Sequence, residues 1–294
     1  MPGSKPERFD RARGSRADVV ILDIEDAVDP AHKDEARQGV LDWFDGKIEA
    51  AAASAKTDAK GEAKARPTKL ARPRTAWVRI NDVTTEHWLR DVEQLRGAAG
   101  LEGVILAKTE APEQVTETYH RLGGTVRVVP LIESALGLEE ATRIGRAAGA
   151  FRLAFGSGDF RRDTGMWASR EAMAYARSRL TVSSRAAGLP GPIDGPTTDE
   201  SLRTLREQSE WTLEHGMTGK LCLRIEQAAV VNEVICPQTS DILWAREFLA
   251  DFEASGGVVR DGSDLPRLGR AKKILSLAEA FGIDVEDPEH HEED

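Results

Sequence analysis

One stretch, 126–163 (VRVVPLIESALGLEEATRIGRAAGAFRLAFGSGDFRRD), leaves the chain few ways to fold. Two short β-branched and apolar runs, 126–132 and 152–155, flank a helical segment. A strand, a crossover helix and a second strand in that order make a parallel pair, so both strands end at the same edge of one sheet. Each run leads to a carboxylate, Glu133 directly and Asp159 through the Gly156-Ser157-Gly158 turn. The C-terminal edge of parallel strands is where α/β enzymes gather their chemistry. Two hard oxygen ligands on neighbouring strand ends can share one small divalent cation, with Mg²⁺ the best match. Each residue also has an ordinary use: Glu133 can cap the following helix, and Asp159 can stabilise a tight turn. Their arrival as a pair favours the metal.

The same unit recurs along the chain. Strand candidates fall at 17–24 (ADVVILDI), 76–80 (AWVRI), 103–107, 126–132, 152–155, 189–194 (LPGPID) and 219–223 (GKLCL). Helical patterns lie between them, at 31–44, from Thr84 or Thr85 to 96, at 112–122, 169–187 and 201–215. Ser4 and Glu7 have capping-box spacing for a helix through Arg13. Strands alternating with helices at roughly 25–30 residues per unit predict a parallel α/β protein, a TIM (β/α)₈ barrel rather than an open doubly wound sheet. No GxGxxG follows the first strand, and the strand count is one short of a closed barrel. The barrel domain is read as 1–255, with an exposed low-complexity insertion at 47–74 rich in Ala, Lys, Glu and Arg. A C-terminal helical extension at 256–283 and an acidic disordered tail at 284–294 complete the chain.

Composition narrows the function classes. Fifty acidic against forty basic residues give a formal charge of −10, which argues against a nucleic-acid surface. No apolar run is long enough to cross a bilayer, and no apolar signal-peptide core opens the chain. The two cysteines, Cys222 and Cys236, sit in apolar surroundings and are too few for a disulfide framework, so a reducing cytoplasm is expected. None of the six histidines ends a strand-like run, which points away from zinc.

Read together, PGSKPERFDRA, ADVVILDIEDAV, WVRIN, PLIES, GSGD, IDGP, GKLC and the closing SDLPRLGRAKKIL form an ordered series. This series resembles the citrate lyase beta-subunit and malyl-CoA lyase family (HpcH/HpaI aldolase type) over nearly the whole chain outside 47–74 and the tail. The resemblance implies a TIM barrel, a homotrimer or higher homo-oligomer, that makes or breaks a carbon–carbon bond with Mg²⁺. It implies substrates that are CoA thioesters of 3-hydroxy diacids such as citryl-, malyl- or citramalyl-CoA. By the same resemblance the metal ligands fall on Glu133 and Asp159, and the arginine that grips the 2-oxo acid falls on Arg79. Glu25 and Asp26 match acidic residues that orient the metal's waters. Asp264 matches an aspartate that reaches a neighbouring subunit's site, and Lys5 and Arg8 fall in a CoA-contacting segment.

The residue types suit that chemistry. Retro-aldol cleavage makes a thioester enolate and a 2-oxo acid, so it needs fixed positive charge where the anion develops. Arginine binds a carboxylate bidentately through its planar fork. Ordinary uses stand beside these: a rim ion pair for Arg79, a helix cap for Glu25-Asp26 or Asp264, and a solvated face for Lys5 and Arg8. The sequence departs from the family in three places. The apolar strand that usually precedes the PG turn is missing, so the first barrel strand is expected to be absent. The usual isoleucine-histidine-proline after GKLC is Leu223-Arg224-Ile225-Glu226 here, and 47–74 is inserted. Two other readings remain, a pyruvate-type aldolase on free hydroxy-oxo acids and a non-catalytic barrel subunit.

Overall fold

The computed structural model describes residues 1–48 and 74–283, so the insertion and the acidic tail lie almost wholly outside the described residues. The chain divides into two compact units, Met1–Val231 and Asn232–Asp294. Among the described residues the first unit is built on seven strands: β1 Ile21–Asp23, β2 Ala76–Ile80, β3 Leu101–Leu106, β4 Arg127–Ile132, β5 Ala154–Phe155, β6 Ile193–Asp194 and β7 Gly219–Lys220. Each pairs in parallel with the next, in sequence order, as the alternating pattern predicts. The last three strands are only two residues long, much shorter than their apolar runs.

Both faces of the sheet are covered, which is why the strands read as nearly unbroken apolar runs. Successive side chains point to opposite faces. Leu22, Val78, Ile80, Val104, Leu106 and Ile132 belong to the layer under the helices. Trp77, Ile105, Val129, Leu131 and Ala154 form a separate cluster on the other face, the inside of a curled TIM-barrel sheet. Gly103 has no side chain because the Trp77 indole lies where a Cβ would be.

Eight helices connect or flank the strands among the described residues of this unit. They are α1 Phe9–Arg13, α2 Lys33–Phe44, α3 Glu86–Leu95, α4 Pro112–Arg121, α5 Ala135–Gly145, α6 Ser157–Thr164, α7 Arg170–Ala186 and α8 Leu202–Glu214. Ser169 and Ser201 cap α7 and α8 with their side chains, as their positions suggest. The Ser4–Glu7 capping box does not form: a 3₁₀ turn at Pro6–Arg8 precedes α1, with Lys5 in the cap position. Thr85 precedes α3 without capping it, because its hydroxyl donates to the Asp82 carbonyl instead.

The expected place of an absent first strand is filled at its end alone. Pro2 bridges in parallel to Asp23. The Asp23 N–H donates to Met1 O at 2.8 Å, and the Gly3 N–H donates to Asp23 O at 2.7 Å. Pro2-Gly3 therefore sits at the C-terminal edge of the sheet, beside β1. Among the described residues β7 has no strand on its outer side, and the barrel stays open there. An exposed Arg11–Glu226 ion pair at 2.9 Å joins α1 to the segment after β7.

Two knots of buried charge hold strand ends to helices. Asp194, at the end of β6, accepts from Arg177 Nε (2.9 Å), the Gly195 N–H (2.9 Å), Thr212 Oγ1 (2.7 Å) and Lys220 Nζ (3.3 Å). Asp91 on α3 accepts from Arg37 and from both the backbone and the amide of Asn81. Lys33 completes that knot by donating to the carbonyls of Ile24 and Glu25 and to Asn81 Oδ1.

Helix α9 (Gln227–Ile235) crosses the boundary between the units, followed by α10 (Thr239–Ala254) and α11 (Asp264–Ala280). The sequence ends the barrel domain at 255, whereas the unit that carries the sheet ends at Val231. The reason is that α10 and α11 share their own small core of Ala245, Phe248, Phe252 and Ala271. Both cysteines are free thiols, and Cys222 is exposed rather than apolar-packed. No helix among the described residues is long and apolar enough to cross a membrane.

Candidate active site

The C-terminal ends of β1 to β5 bring one arginine, one lysine and five carboxylates together. Asp23 ends β1 and stands in register with Arg79 of β2. Arg79 grips it with one whole edge, Nε to Oδ1 at 2.8 Å and Nη2 to Oδ2 at 2.6 Å. The remaining nitrogen, Nη1, lies 3.2 Å from Glu25 Oε2 and 3.9 Å from Asp26 Oδ2. Burial works against the Arg79 charge, but the Asp23 hydrogen bonds outweigh it and hold the guanidinium firmly protonated.

Glu25 and Asp26 cap no helix. The cap ahead of α2 is Asp29, whose side chain accepts from the Ala31 N–H. Glu25 is buried, which pushes its carboxyl up, and Arg79 and Lys108 pull against that. Lys108 Nζ donates to Glu25 Oε1 at 2.6 Å and lies 3.4 Å from Asp26 Oδ1. The ammonium is held in its charged form despite burial, through Glu25 first and Asp26 second.

Glu133, directly after β4, is only 5 % exposed. It is not a cap either, since Ser134 caps α5 by accepting from the Gly137 N–H. Its one protein donor among the described residues is the backbone N–H of Lys108, at 2.9 Å from Oε2. Gly156, after β5, packs against it so closely that any Cβ would collide with the Glu133 carboxylate. Asp159 lies in the first turn of α6, where the sequence suggests a plain turn, and pairs with Arg162 at 2.9 Å. Glu133 is pushed up to about 8, first by burial and then by the charges of Asp159 and Glu25.

That displacement marks a carboxylate short of positive charge. A cation between Glu133 and Asp159 would supply it and keep the Glu133 carboxyl ionised. Among the described residues no group of three or more His, Cys, Asp or Glu is arranged around a metal position. Two carboxylates with open positions left over suit Mg²⁺, which keeps several waters or substrate oxygens in its shell. The donor set therefore fits that ion and does not resemble a zinc cage.

The structure thus brings Glu25, Asp26, Arg79, Glu133 and Asp159 to one mouth. It does not bring Lys5 and Arg8 into hydrogen-bond contact with them: both are exposed, and Arg8 lies 3.8 Å from its neighbour Glu7. Asp264 belongs to the second unit. Its carboxylate does not cap α11 but accepts from Arg260, from the backbone N–H at 2.7 Å and from Nε at 3.1 Å. Those bonds hold it below the usual carboxylate range. Arg224, at the family's histidine position, is tied down by donating to the Asp199 carbonyl at 2.8 Å.

Two residues of the mouth are not singled out by the sequence, Asp23 and Lys108. Asp23 carries a faint signal, an acid inside an apolar strand two positions before Glu25 and so on the same face. Lys108 carries none, because a lysine after a strand is ordinary.

The sequence profile of the HpcH/HpaI aldolase/citrate lyase family matches residues 44–224, and that of the HpcH/HpaI aldolase C-terminal domain matches 240–282. The human mitochondrial citramalyl-CoA lyase is 28% identical over 308 residues, 95% of this chain and 84% of the relative. An L-malyl-CoA/beta-methylmalyl-CoA lyase of Cereibacter sphaeroides is 28% identical over 323 residues, 95% of this chain and 92% of the relative. Among solved structures, the CitE protein of Mycobacterium tuberculosis in complex with magnesium, acetoacetate and coenzyme A superposes with a TM-score of 0.72. It is 27% identical, over 95% of this chain and 96% of that one.

Proposed function

Because the chain belongs to the HpcH/HpaI aldolase/citrate lyase family, we propose that it is a Mg²⁺-dependent carbon–carbon lyase acting on CoA thioesters of 3-hydroxy acids, of the citramalyl- and malyl-CoA kind. The observation that carries this reading is the meeting of Arg79 with Glu133, a carboxylate short of positive charge, with Asp159 beside it at one strand edge. The magnesium and coenzyme A held by the CitE structure support the same cofactor and the same class of thioester here.

In this reading Glu133 and Asp159 hold the Mg²⁺. The ion, when bound, supplies a Lewis acid that polarises the oxygens of the substrate's hydroxy acid end. Arg79 has one edge locked on Asp23, so its plane is fixed before substrate arrives, and Nη1 is held at 3.2 Å by Glu25 Oε2 and has to share that partner with the substrate. That preorganised nitrogen binds the carboxylate that leaves as the 2-oxo acid. Glu25 and Asp26 orient water at the mouth. When the carbon–carbon bond breaks, its electron pair passes to the thioester as an enolate, and the hydroxyl proton passes to the water that Glu25 and Asp26 orient. A proton must then reach the enolate carbon to give the acyl-CoA product.

We assign that last proton to Asp264 of a neighbouring subunit in a homotrimer or larger homo-oligomer, following the family resemblance at Asp264-Leu265-Pro266. Within its own unit the carboxylate is held by Arg260, so it has to exchange that partner to act as an acid. Mixing inactive Asp264→Asn protein with inactive Glu133→Gln protein checks this. Activity returns in mixed oligomers if one chain lends its aspartate to another's metal site, and stays absent after verified subunit exchange if it does not.

The function itself is tested by incubating the protein with Mg²⁺ and a panel of citramalyl-, malyl- and citryl-CoA, following thioester cleavage products. The expected result is an acyl-CoA and a 2-oxo acid from one member of the panel, abolished by Glu133→Gln. Cleavage of free hydroxy-oxo acids without any CoA ester would make it a pyruvate-type aldolase. No cleavage of either class would leave a non-catalytic barrel.

A further inference from the structure

Lys108 is the only non-glycine residue with a left-handed backbone among the described residues, at φ 48°. Side chains other than glycine, asparagine and aspartate seldom adopt that conformation, and such residues persist only where their surroundings over-determine them. Here they do. On one side, β3 ends at Leu106. On the other, Thr109 is fully buried, its N–H donating to the Leu131 carbonyl and its hydroxyl to Leu106 O.

The conformation lets one residue hold two carboxylates from two different strands. The backbone N–H points to Glu133 of the β4 end, while the side chain crosses to Glu25 and Asp26 beyond the β1 end. A glycine would take the same backbone with less strain and keep the N–H bond to Glu133. What the lysine adds is an ammonium set between two carboxylates of adjacent residues, where a small cation would otherwise be attracted.

Charge bookkeeping points the same way. On this side of the mouth Asp23, Glu25 and Asp26 are ion-paired directly with Arg79 and Lys108, and the Met1 ammonium and Lys33 also act on them. Without Lys108 Glu25 and Asp26 lose the ammonium they share, and a divalent ion can take its place. We propose that Lys108 is a tethered cation that keeps a divalent ion off Glu25 and Asp26 and so confines metal binding to Glu133 and Asp159. The proposal rests on the metal reading given above. Its consequence is positional: Nη1 of Arg79 keeps its place beside Glu25 instead of facing a second metal.

The test uses Mn²⁺ as the probe, with Lys108→Met and Lys108→Gly measured by calorimetric titration and by electron paramagnetic resonance of the metal-loaded protein, without substrate. The wild type is expected to bind one ion per chain and both variants two, with spectral broadening from two neighbouring Mn²⁺ ions. Glu133→Gln alone should bind none, and Lys108→Met with Glu133→Gln should bind one. Lys108→Gly relieves the backbone, so a loss of folding in Lys108→Met leaves this variant to decide. One ion in the variants and none in the double variant would overturn the role of Lys108. If the wild type binds no ion while Lys108→Met binds one that survives Glu133→Gln, the Glu133–Asp159 site falls and the role of Lys108 stands.

Discussion

Asp194 and Glu133 are both acids buried at the C-terminal ends of strands of one sheet, yet they are treated in opposite ways. Asp194 accepts hydrogen bonds from four donors, two of them cationic. Burial alone would push its carboxyl up, but Lys220, Arg177 and Thr212 outweigh this and hold it below the usual range. Glu133 has the Lys108 N–H and a second carboxylate nearby, and it is pushed up to about 8. Removing an ion from water costs several kcal/mol unless partners replace the lost hydration. A charge that serves the fold is therefore saturated with partners. A charge left short of them is reserved for something that binds, and the contrast locates the mouth without reference to any relative.

Breaking the saturated acid should have the largest effect. Asp194→Ala leaves Arg177 and Lys220 buried without their counter-charge, and should cost about 3–5 kcal/mol of stability in a urea melt. A loss below about 1 kcal/mol would mean that the knot is not what holds β6 and β7 to α7 and α8.

Arg79→Lys should come next, and should appear in turnover rather than in stability. The ammonium cannot hold Asp23 along one edge and face substrate with another nitrogen, so transition-state binding should weaken by roughly 3–4 kcal/mol, as for a lost oxyanion donor. Unchanged turnover on the cleaved thioester would remove Arg79 from the chemistry.

The third prediction concerns pH and carries an opposite sign for the two acids. Glu133 is raised from 4.5 to about 8 in the metal-free protein. The fold thus favours its protonated form. This contribution is fully present below the unfolded value and is lost as pH rises through the folded one. Glu133→Gln should therefore gain on the wild type between pH 5 and pH 9 by on the order of 2 kcal/mol, less than the full shift implies because an ionised pocket takes up water. Saturating Mg²⁺ should abolish that gain, and urea melts at several pH values with and without the metal would show it. Asp194, held low, contributes stability at neutral pH that is lost on acidification. A pH-independent difference between Glu133→Gln and wild type would count against the under-compensated carboxylate.

The smallest effect is expected at the open seam. Arg11 and Glu226 are both well exposed and screened by solvent, so Glu226→Ala should change stability by no more than about 0.5 kcal/mol. A larger loss would show that the pair, and not the sheet, fixes the segment after β7.

The amino-acid sequence determined the architecture and much of the mouth. Apolar runs spaced by helical patterns predict parallel strands joined by crossover helices, and the structure arranges the seven among the described residues in sequence order. The same periodicity puts Arg79, Glu133 and Asp159 at one edge, since strand ends in a parallel sheet face the same way. Three-dimensional packing decided the rest. Whether an acid is a cap, an ion-pair partner or an under-compensated ligand depends on donors brought from distant strands. Asp23 meets Arg79 across 56 positions, and Lys108 meets Glu25 across 83. Local spacing cannot announce such pairs. The left-handed turn at Lys108 was equally hidden, because its strain is imposed by Thr109 and β4 and not by any residue preference. The boundary at Val231 was decided in the same way, by which side chains α10 and α11 bury against each other.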